Sequence, residues 1–314
     1  MAKYFTKRLR TELNAVMRSH LDLREAKLLV AVSGGQDSLC LAKILLMQQA
    51  KYNWRLTIAH CDHQWRIDSR ANASHVEKIA REWGIPFCAR VAENPPKSEA
   101  SAREWRYAKL VEMAQINQCH YVVTGHTRSD RAETLLYNLM RGSGADGLAA
   151  LTWQRSLTHG INLVRPLLNV SRQETAEFCR ENLIPIWEDS TNQNLDYRRN
   201  RLRLETIPYL KQHFNPQLEI AITQTAEILD SEVSYLESQA SQFFEDGVSV
   251  IWDDHQPCLQ RQVLLSQPLA LQRRIVKQFL SRKLIHQVNF EDVERFLKLL
   301  DAPNRSQSEP FRGN

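Results

Sequence analysis

A glycine pair flanked by hydroxyl and carboxylate side chains is the first candidate for chemistry in this sequence. The segment SGGQDS occupies residues 33–38, between an apolar run and a run with helical periodicity. Glycines let a backbone approach a ligand closely, and a strand-to-helix turn directs free N–H groups and a helix dipole at one point. The hydroxyls of Ser33 and Ser38 add donors, so the turn suits an anion, most simply a phosphate. A plain glycine turn without a ligand is the alternative.

Asp37 is the unusual member of this turn, because a carboxylate alone would repel phosphate. Mg²⁺ resolves the conflict, since it is commonly held by one or two carboxylates together with substrate phosphates. A GxxxxGK(S/T) loop is absent from the sequence. The GSGADG segment at 142–147 follows a helical pattern instead of a strand, and no acidic residue lies about 20 positions later. We therefore interpret it as a helix end and loop.

Histidines and carboxylates follow two other predicted strands. His60, Asp62 and His63 come at the end of the second strand. Contact with ATP, a structural histidine and a zinc site are the alternatives there, and zinc is disfavoured because three ligands within four residues at a strand end is awkward geometry.

His126, Asp130 and Glu133 follow the fourth predicted strand. Their two carboxylates either face a ligand cleft or act as favourable charges at a helix N-terminus. Glu133 is a candidate for reading cytosine, because carboxylates accept hydrogen bonds from the N4 amino group of that base.

Arginines supply candidate contacts to phosphate groups. Arg103 and Arg106 are three residues apart, so they share one face of a predicted helix. Arg141 lies close behind Glu133 and is expected to face the same site. A later run without acidic residues contains Arg198, Arg199, Arg201 and Arg203. Contact with an RNA backbone is favoured for this run, with a solvated face as the alternative.

The elements that position these residues alternate between strands and helices over the first 190 residues or so. Strands are predicted at 27–32, 55–60, 85–91, 121–126 and 161–168. Helices are predicted near 38–50, 69–83, 99–117, 130–141 and 171–182. This alternation predicts an α/β fold with a parallel sheet and helices on both faces. Ligands of such sheets bind at the carboxyl ends of the strands.

The later sequence predicts a second, smaller domain. Helices are expected at 216–245, at 269–283 and near 290–300, and strands at 248–252 and 258–265. We place a catalytic domain at 1–215 and a mainly helical, substrate-binding domain with a loose tail at 216–314. The chain has 314 residues, of which 43% are apolar, and a net charge of +5. No apolar run is long enough for a membrane helix. Six cysteines without metal-site spacing favour free thiols and a cytoplasmic location.

The SGGQDS turn resembles the PP-loop of the N-type ATP pyrophosphatases, which include a family of tRNA(Ile)-lysidine synthases. Further segments resemble motifs of that family in the same order. These are AHCDHQWR (59–66), AREWRY (102–107), TGHTRSDRAETLLYNLMRGSG (124–144), RPLL (165–168) and EDSTNQNLDYRRNRLR (188–203). The resemblance covers about residues 27–203 and implies the adenine nucleotide hydrolase-like fold.

The resemblance also implies a reaction and a set of site residues. ATP and L-lysine would convert the wobble cytidine of the CAU anticodon of tRNA(Ile) to lysidine, with release of AMP and pyrophosphate. The implied catalytic residues are Asp37, Asp130 and Glu133, and the implied Mg²⁺ ligands are Asp37 and Asp130. ATP would be bound by Ser33, Gly34, Gly35, Gln36, Asp37, Ser38, His60, His63, Arg103, Gly125 and His126. Contacts with tRNA are implied for Arg106, Arg141, Arg198, Arg199, Arg201 and Arg203.

Two departures from the family pattern affect these expectations. The family usually has paired aspartates after the histidine, whereas this sequence has Ser129 and Asp130. Longer relatives carry a further C-terminal domain, so this chain is expected to be a short form. A homodimer is left open.

Three other function classes fit the sequence less well. An iron–sulfur tRNA thiolase would need paired cysteines. An amidotransferase-linked synthetase would leave the arginine run unexplained. A non-catalytic nucleotide-binding RNA module would not need the intact loop with Asp37.

Overall fold

The computed structural model describes residues 4–65, 67–188, 193–245, 250–253, 256–283, 288–300 and 302. The chain forms two compact units, Met1–Glu227 and Ile228–Asn314. This boundary falls inside helix α10 (Leu218–Glu245), later than the predicted boundary at 215/216. The predicted tail and residues 189–192 of the last motif lie outside the described residues, as does Arg66. The substrate-binding role assigned to the second domain stays a prediction.

A six-stranded sheet forms the centre of the first unit. Its strands are β1 (Lys27–Ala31), β2 (Arg55–Asp62), β3 (Phe87–Val91), β4 (Tyr121–Thr124), β5 (Gln154–Thr158) and β6 (Ile161–Val164). The order is β3-β2-β1-β4-β6-β5, and every pairing is parallel except β5 with β6. The predicted fold class is confirmed. Because the chain leaves β1 on one side for β2 and returns on the other as β4, the order reverses between β1 and β4, which is where such sheets bind ligands.

Strand β5 was not predicted. Its residues are exposed or half-buried, so the segment lacks the apolar run by which the buried strands were recognised. It joins β6 through a tight turn in which Gly160 has a φ of 75°. The antiparallel pairing of β5 at the sheet edge is the one exception to the predicted parallel sheet among the described strands of this unit.

Helices cover both faces of the sheet, as predicted. In the first unit they are α1 (Tyr4–Ser19), α2 (Gln36–Tyr52), α3 (Ser69–Glu82), α4 (Glu99–Ile116), α5 (Arg128–Met140), α6 (Ala145–Leu148), α7 (Arg172–Glu181), α8 (Arg198–Arg201), α9 (Ile207–His213) and the start of α10. A π-helical segment, Leu202–Thr206, joins α8 to α9. In β1, Leu28 and Val30 pack into a core with α1, α2, α3 and α7, whereas Leu29 packs into a core with α4. Burial on both faces explains why β1 reads as a continuous apolar run.

The second unit is mainly helical, as expected. It contains an antiparallel pair, β7 (Val250–Asp253) and β8 (Gln256–Leu259), followed by α11 (Arg261–Leu265), α12 (Leu269–Ser281) and α13 (Phe290–Leu300). The strand predicted at 258–265 is wrong, because β8 ends at Leu259 and helix α11 follows directly. A run rich in leucine and valine cannot be assigned to strand or helix by periodicity when it is this short.

Two expected properties of the whole chain can be compared with the structure. None of the described helices is long and apolar enough to cross a bilayer. The six cysteines, all of which lie among the described residues, form no disulfide bond there.

Candidate active site

The turn between β1 and α2 can be formed only with glycine at position 34. Gly34 has a φ of 92°, and a Cβ there would lie 2.2 Å from Oδ1 of Asn72. Asn72 donates from Nδ2 to the Ser33 carbonyl at 2.9 Å, and the Trp187 N–H donates to the Gly34 carbonyl at 3.0 Å. The side chain of Asn72 and the backbone of Trp187, which belong to two other segments, therefore hold this turn in place by hydrogen bonds.

Helix α2 begins with its backbone amides open to a ligand. Within the described part of the chain, its N-cap residue Gly35 provides no side-chain cap, whereas α4, α5 and α7 all begin with capping boxes. The first N–H groups of a helix have no partner inside the helix. Ser38 donates to the Gly35 carbonyl at 2.9 Å and accepts from the Ser33 N–H at 3.1 Å, which braces the turn. The result is an uncapped helix start suited to an anion.

Asp37 lies in the first turn of α2, within a network that connects it to α7. Thr175 donates to its Oδ1, and Arg172 lies 3.6 Å from its Oδ2. Gln36 bridges the same helices by donating to the Arg172 carbonyl at 2.8 Å. Burial raises the pKa of Asp37, with Arg172 opposing the rise and the nearby charge of Asp130 adding to it. The two carboxylates predicted to share a metal ion are thus close enough to repel each other.

Gly125 lets the segment after β4 approach the start of α2. A Cβ at Gly125 would lie 2.9 Å from the carbonyl carbon and oxygen of Asp37 and 3.0 Å from the Ser38 nitrogen. Contacts this short do not occur in folded proteins, so a side chain at this position would force the backbone of Asp37 and Ser38 to move. The close approach brings His126 and Asp130 to the turn at residues 33–38, which we call the phosphate turn.

Replacing Gly125 with alanine is expected to lower the unfolding free energy by about 1–3 kcal/mol, because the added methyl group must push α2 away. ATP-dependent activity should fall with it, since the displaced backbone belongs to Asp37. Chemical denaturation and ATP turnover measure the two effects. Gly144→Ala is the matched control, because a Cβ there meets nothing within 4 Å. Equal stability and activity in the two variants would contradict the packing argument.

Asp130 combines a capping role with a place in the site. Its Oδ2 accepts from the Thr127 N–H and hydroxyl, both at 2.8 Å, at the start of α5. Its Oδ1 lies 3.5 Å from Nη2 of Arg203. The pKa of Asp130 lies below its usual value. Burial opposes this shift, but it is outweighed by the nearby charges of His126, Arg172 and Arg203 and by the hydrogen bond from the Thr127 N–H. The helix N-terminus alternative for this carboxylate is confirmed, whereas a role in a ligand cleft stays a prediction.

The three histidines singled out from the sequence are held neutral or fixed by local contacts. His60 is buried, and its Nδ1 lies 2.8 Å from the Val32 carbonyl. His126 Nδ1 lies 2.8 Å from the Thr124 hydroxyl, and burial lowers the pKa of His126 to about 3. His63 packs against two tryptophan rings, and burial lowers its pKa to about 4. In the described ranges no group of three or more His, Cys, Asp or Glu residues is arranged to hold a metal ion.

Glu133 is engaged by Arg203. Arg203 donates to both carboxylate oxygens, from Nε at 2.6 Å and from Nη2 at 2.7 Å. Glu133 is only 3% exposed, and burial raises its pKa against the opposing effect of Arg203. Sequence reasoning placed Arg203 in a basic run directed at RNA, but the π-helical segment turns this side chain inward to Glu133 and Asp130.

Two other arginines of the run also have acidic neighbours. Arg199 lies 3.6 Å from Glu99, and Arg201 lies 3.9 Å from Glu205. The run itself contains no acidic residue, but in the folded chain two of its arginines lie near acidic residues from outside the run. Contact of Arg198, Arg199 and Arg201 with tRNA stays a prediction.

Arg141 is separated from the site it was expected to face. It is the C-cap residue of α5, whereas Asp130 lies in the first turn of that helix. At 1.5 Å per residue the two are roughly 16 Å apart along the helix axis. Arg141 lies instead over the Tyr137 ring at 5.5 Å.

Arginines from two elements, α4 and β5, surround Tyr107 on α4. The guanidinium carbons of Arg103, Arg106 and Arg155 lie 5.4, 5.5 and 4.8 Å from its ring centroid. Burial lowers the pKa of the nearby Arg165 to about 10, and these arginines lower the pKa of Tyr107 although burial opposes the shift. Arg155 was missed because it lies on the unpredicted strand β5. The cluster provides positive potential beside His126.

A cavity of about 280 Å³ is lined by Glu133 and Arg203 among other residues. Its walls come from the starts of α5 and α7 and from the chain between the π-helical segment and α10. Ser129, Arg172 and Glu219 are among the lining residues. Sequence reasoning did not identify this cavity, because its walls come from segments that are far apart along the chain.

Comparison with known proteins agrees with this geometry. A family model described as a PP-loop domain matches residues 5–210. A tRNA(Ile)-lysidine synthase from a Nostoc species is 55% identical, with 97% of this chain and 92% of that protein covered. One from a Synechocystis species is 46% identical, with 95% and 91% covered. A U34-tRNA thiolase of Methanococcus maripaludis has a similar structure, with a TM-score of 0.61 at 15% identity over 72% of this chain and 79% of that one.

The thiolase shares so little sequence that it supports the fold alone. The two relatives match nearly the whole chain, and the site contains the phosphate turn and carboxylates by which the resemblance was first recognised. The chain therefore belongs to the tRNA(Ile)-lysidine synthase family, within the PP-loop enzymes.

Proposed function

We propose that this chain ligates L-lysine to C2 of the wobble cytidine in the CAU anticodon of tRNA(Ile), using ATP. The observation that carries the proposal is the meeting of the phosphate turn with Asp37, Asp130 and Glu133 at the carboxyl ends of β1 and β4. Its family membership supports ATP as the energy source and lysine and tRNA(Ile) as the substrates.

The reaction needs ATP because the C2 oxygen of cytosine is a poor leaving group. That oxygen attacks the α-phosphorus of ATP, and pyrophosphate leaves from the turn at residues 33–38. The lysine ε-nitrogen then attacks C2, and AMP leaves with the former base oxygen. Since the unperturbed pKa of a lysine ammonium is about 10.4, the amine must lose a proton before it attacks. The uncapped start of α2 stabilises the negative charge of the phosphates during the first step.

Asp37 and Asp130 fit the requirements of a magnesium site. Their mutual repulsion, which helps to raise the pKa of Asp37, would be relieved by a cation between them. Mg²⁺ commonly takes only one or two carboxylates and completes its shell with phosphate oxygens and water. Asp37 and Asp130 would hold the ion, which when bound neutralises phosphate charge.

Glu133 is proposed to accept a hydrogen bond from the N4 amino group of the target cytosine. Arg203 occupies one lone pair on each carboxylate oxygen, and each oxygen has a second one for the base. Arg203 is thus a positioning residue that holds the buried carboxylate in one orientation. This replaces the role in tRNA backbone binding first assigned to it.

The remaining site residues are assigned either to ATP or to tRNA. ATP contacts are proposed for His60, His63, Arg103, Gly125 and His126. The proposed tRNA contacts are Arg106, Arg141, Arg198, Arg199 and Arg201. A cytoplasmic location fits a tRNA substrate, and a homodimer is left as a prediction for mass measurement in solution.

Sulfur transfer is the alternative within the same fold, and the cysteines argue against it. Burial raises the pKa of Cys61 to about 12 and that of Cys119 to about 11. A reactive sulfur carrier needs the thiolate, which these sites disfavour.

The direct test incubates the chain with ATP, L-lysine and an unmodified CAU tRNA(Ile) transcript. The wobble nucleoside is expected to gain the mass of lysine less one water, with AMP and pyrophosphate as the other products. Release of ADP, or an unchanged nucleoside mass, would contradict the proposed function.

The affinity for tRNA is expected to fall steeply with salt, because arginine contacts release counterions from the RNA. Each phosphate contact contributes roughly −0.7 to −0.9 to the slope of log affinity against log salt concentration. Substituting Arg198 and Arg201 together with glutamine should therefore flatten the slope measured by filter binding by about 1.5. Arg180→Gln, which removes an exposed arginine paired with Glu177, is the matched control. A flat response of the unsubstituted chain would exclude the electrostatic account.

A further inference from the structure

The peptide units of the phosphate turn could take two orientations as far as the turn's own residues are concerned. Glycine populates φ values of either sign, so the peptides that flank Gly34 can rotate at little cost. One orientation points their N–H groups at the ligand, whereas the other points carbonyl oxygens there, which would repel phosphates. The productive orientation must therefore be imposed by groups outside the turn.

Two groups outside the turn bind its carbonyl oxygens. Asn72 of α3 donates from Nδ2 to the Ser33 carbonyl at 2.9 Å, and the Trp187 N–H donates to the Gly34 carbonyl at 3.0 Å. Both groups adjoin the same face of Gly34, since a Cβ there would lie 2.2 Å from Oδ1 of Asn72 and 3.3 Å from Cβ of Trp187. The two carbonyl groups are therefore held from one side.

The direction of the N–H groups follows from the direction of these carbonyl groups. No peptide bond in the described ranges is cis, and in a trans peptide the N–H points opposite to the C=O. The N–H groups of Gly34 and Gly35 therefore point away from Asn72 and Trp187. The Gly35 N–H lies 3.4 Å from the Ser33 hydroxyl oxygen, a long contact that a phosphate oxygen can replace. Successive N–H groups directed to one side form a concave site for an anion.

The amide of Asn72 is costly to bury unless its nitrogen is needed at the turn. The residue is 5% exposed, and its Oδ1 is buried without a hydrogen-bond partner among the residues that the structure describes. Such an orphaned polar atom destabilises the fold, so packing alone would favour an apolar side chain at this position. The reverse orientation of the amide would place Oδ1 against the Ser33 carbonyl oxygen, so the donor end must face the turn.

The 184–188 segment, which carries Trp187, is tied to the same helix. Nε2 of His75 lies 2.8 Å from the Pro185 carbonyl oxygen, and the rings of His75 and Trp187 are 5.4 Å apart. His75 and Asn72 are three residues apart on α3, so they share one face of this helix. One face of α3 thus supports both groups that bind the carbonyl oxygens of the phosphate turn.

We propose that Asn72 is a positioning residue for ATP, which keeps the Ser33–Gly34 peptide in the orientation that directs the Gly34 N–H at the phosphates. His75 has the same role for the next peptide, because it holds the segment whose Trp187 N–H binds the Gly34 carbonyl. This inference rests on the proposed function and deepens it, since it adds two residues that act on ATP through the backbone of the turn.

The test measures by calorimetry how Asn72→Ala binds inorganic pyrophosphate with Mg²⁺ and, separately, AMP. The affinity for pyrophosphate is expected to fall about 10- to 100-fold, the loss of one hydrogen bond to a charged group, whereas the affinity for AMP changes less than about 3-fold. In steady-state assays KM for ATP should rise, with KM for lysine unchanged. Ser74→Ala, at an exposed position of the same helix, is the matched control.

A second variant and a crystal structure separate orientation from stability. His75→Phe keeps an aromatic ring but loses the contact with Pro185, so the affinity for pyrophosphate should fall by a smaller factor. In crystals of Asn72→Ala the Ser33–Gly34 peptide should be rotated or present in two orientations. Unchanged pyrophosphate affinity in folded Asn72→Ala, or equal losses for pyrophosphate, AMP and lysine, would overturn the inference. Lysidine formed by Asn72→Ala at saturating ATP would leave the proposed function intact in either case.

Discussion

Replacing Asp37 with asparagine is expected to lower ATP-dependent turnover by about 10²- to 10³-fold or more, the usual effect of removing one preorganised charge from an active site. Asparagine has nearly the same shape and can still accept from Thr175 and Gln36. It lacks the negative charge that a cation between Asp37 and Asp130 requires. The loss should therefore fall on kcat and not on the fold.

The same substitution is expected to leave the unfolding free energy unchanged or to raise it. Burial raises the pKa of Asp37 above its unfolded value, so the folded state binds the proton more tightly than the unfolded state does. Above the folded pKa the ionised carboxylate therefore costs stability, and the cost is relieved as the pH falls through that value. A neutral amide removes this cost at neutral pH.

Steady-state release of AMP and thermal unfolding at neutral pH measure the two effects. Asp22→Asn is the matched control, because Asp22 is an exposed residue that pairs with the neighbouring Arg24. A variant with normal turnover would remove the metal assignment from Asp37. A variant that loses both activity and stability would instead indicate a structural role for this carboxylate.

The strands and turns of the first unit could be predicted from the sequence wherever a single local pattern determines the structure. Strands β1, β2, β3 and β4 were recognised because buried parallel strands are continuous apolar runs bounded by turns. The glycine pair located the phosphate turn, and the residue after each strand located the carboxylates, because strand ends meet at one edge of a parallel sheet. Ser171 and Glu174 have the three-residue spacing of a capping box, and the structure forms this box at the start of α7.

Features that depend on distant pairs could not be predicted in this way. Arg203 and Glu133 are 70 positions apart, and Ser129 and Glu219 are 90 positions apart. No local pattern encodes such a pair, since each residue by itself is typical of an exposed helix surface. Strand β5 could not be predicted either, because an exposed edge strand lacks the apolar run by which the buried strands are recognised.

The second prediction with a large expected effect concerns the ion pair between Arg203 and Glu133. Replacing Arg203 with methionine is expected to lower the unfolding free energy of the first unit by about 3–5 kcal/mol, because it leaves the buried carboxylate of Glu133 without its partner. The apolar stem of methionine fills much of the space of the arginine stem, so the loss comes mainly from the charge. Lysidine formation should also fall, since Glu133 is no longer held in one orientation.

A second substitution and the pH separate charge from packing. In Glu133→Leu/Arg203→Met no charge is left buried, so most of the stability lost in Arg203→Met should return, although activity should not. In Arg203→Met the pKa of Glu133 rises further, because the group that opposed the effect of burial is gone. A carboxyl group whose folded pKa exceeds its unfolded value costs stability above that pKa and ceases to do so as the pH falls. Urea denaturation of Arg203→Met should therefore show a smaller loss at pH 5 than at pH 8, and a loss independent of pH would mean that the Arg203 stem, and not its charge, holds this part of the site together.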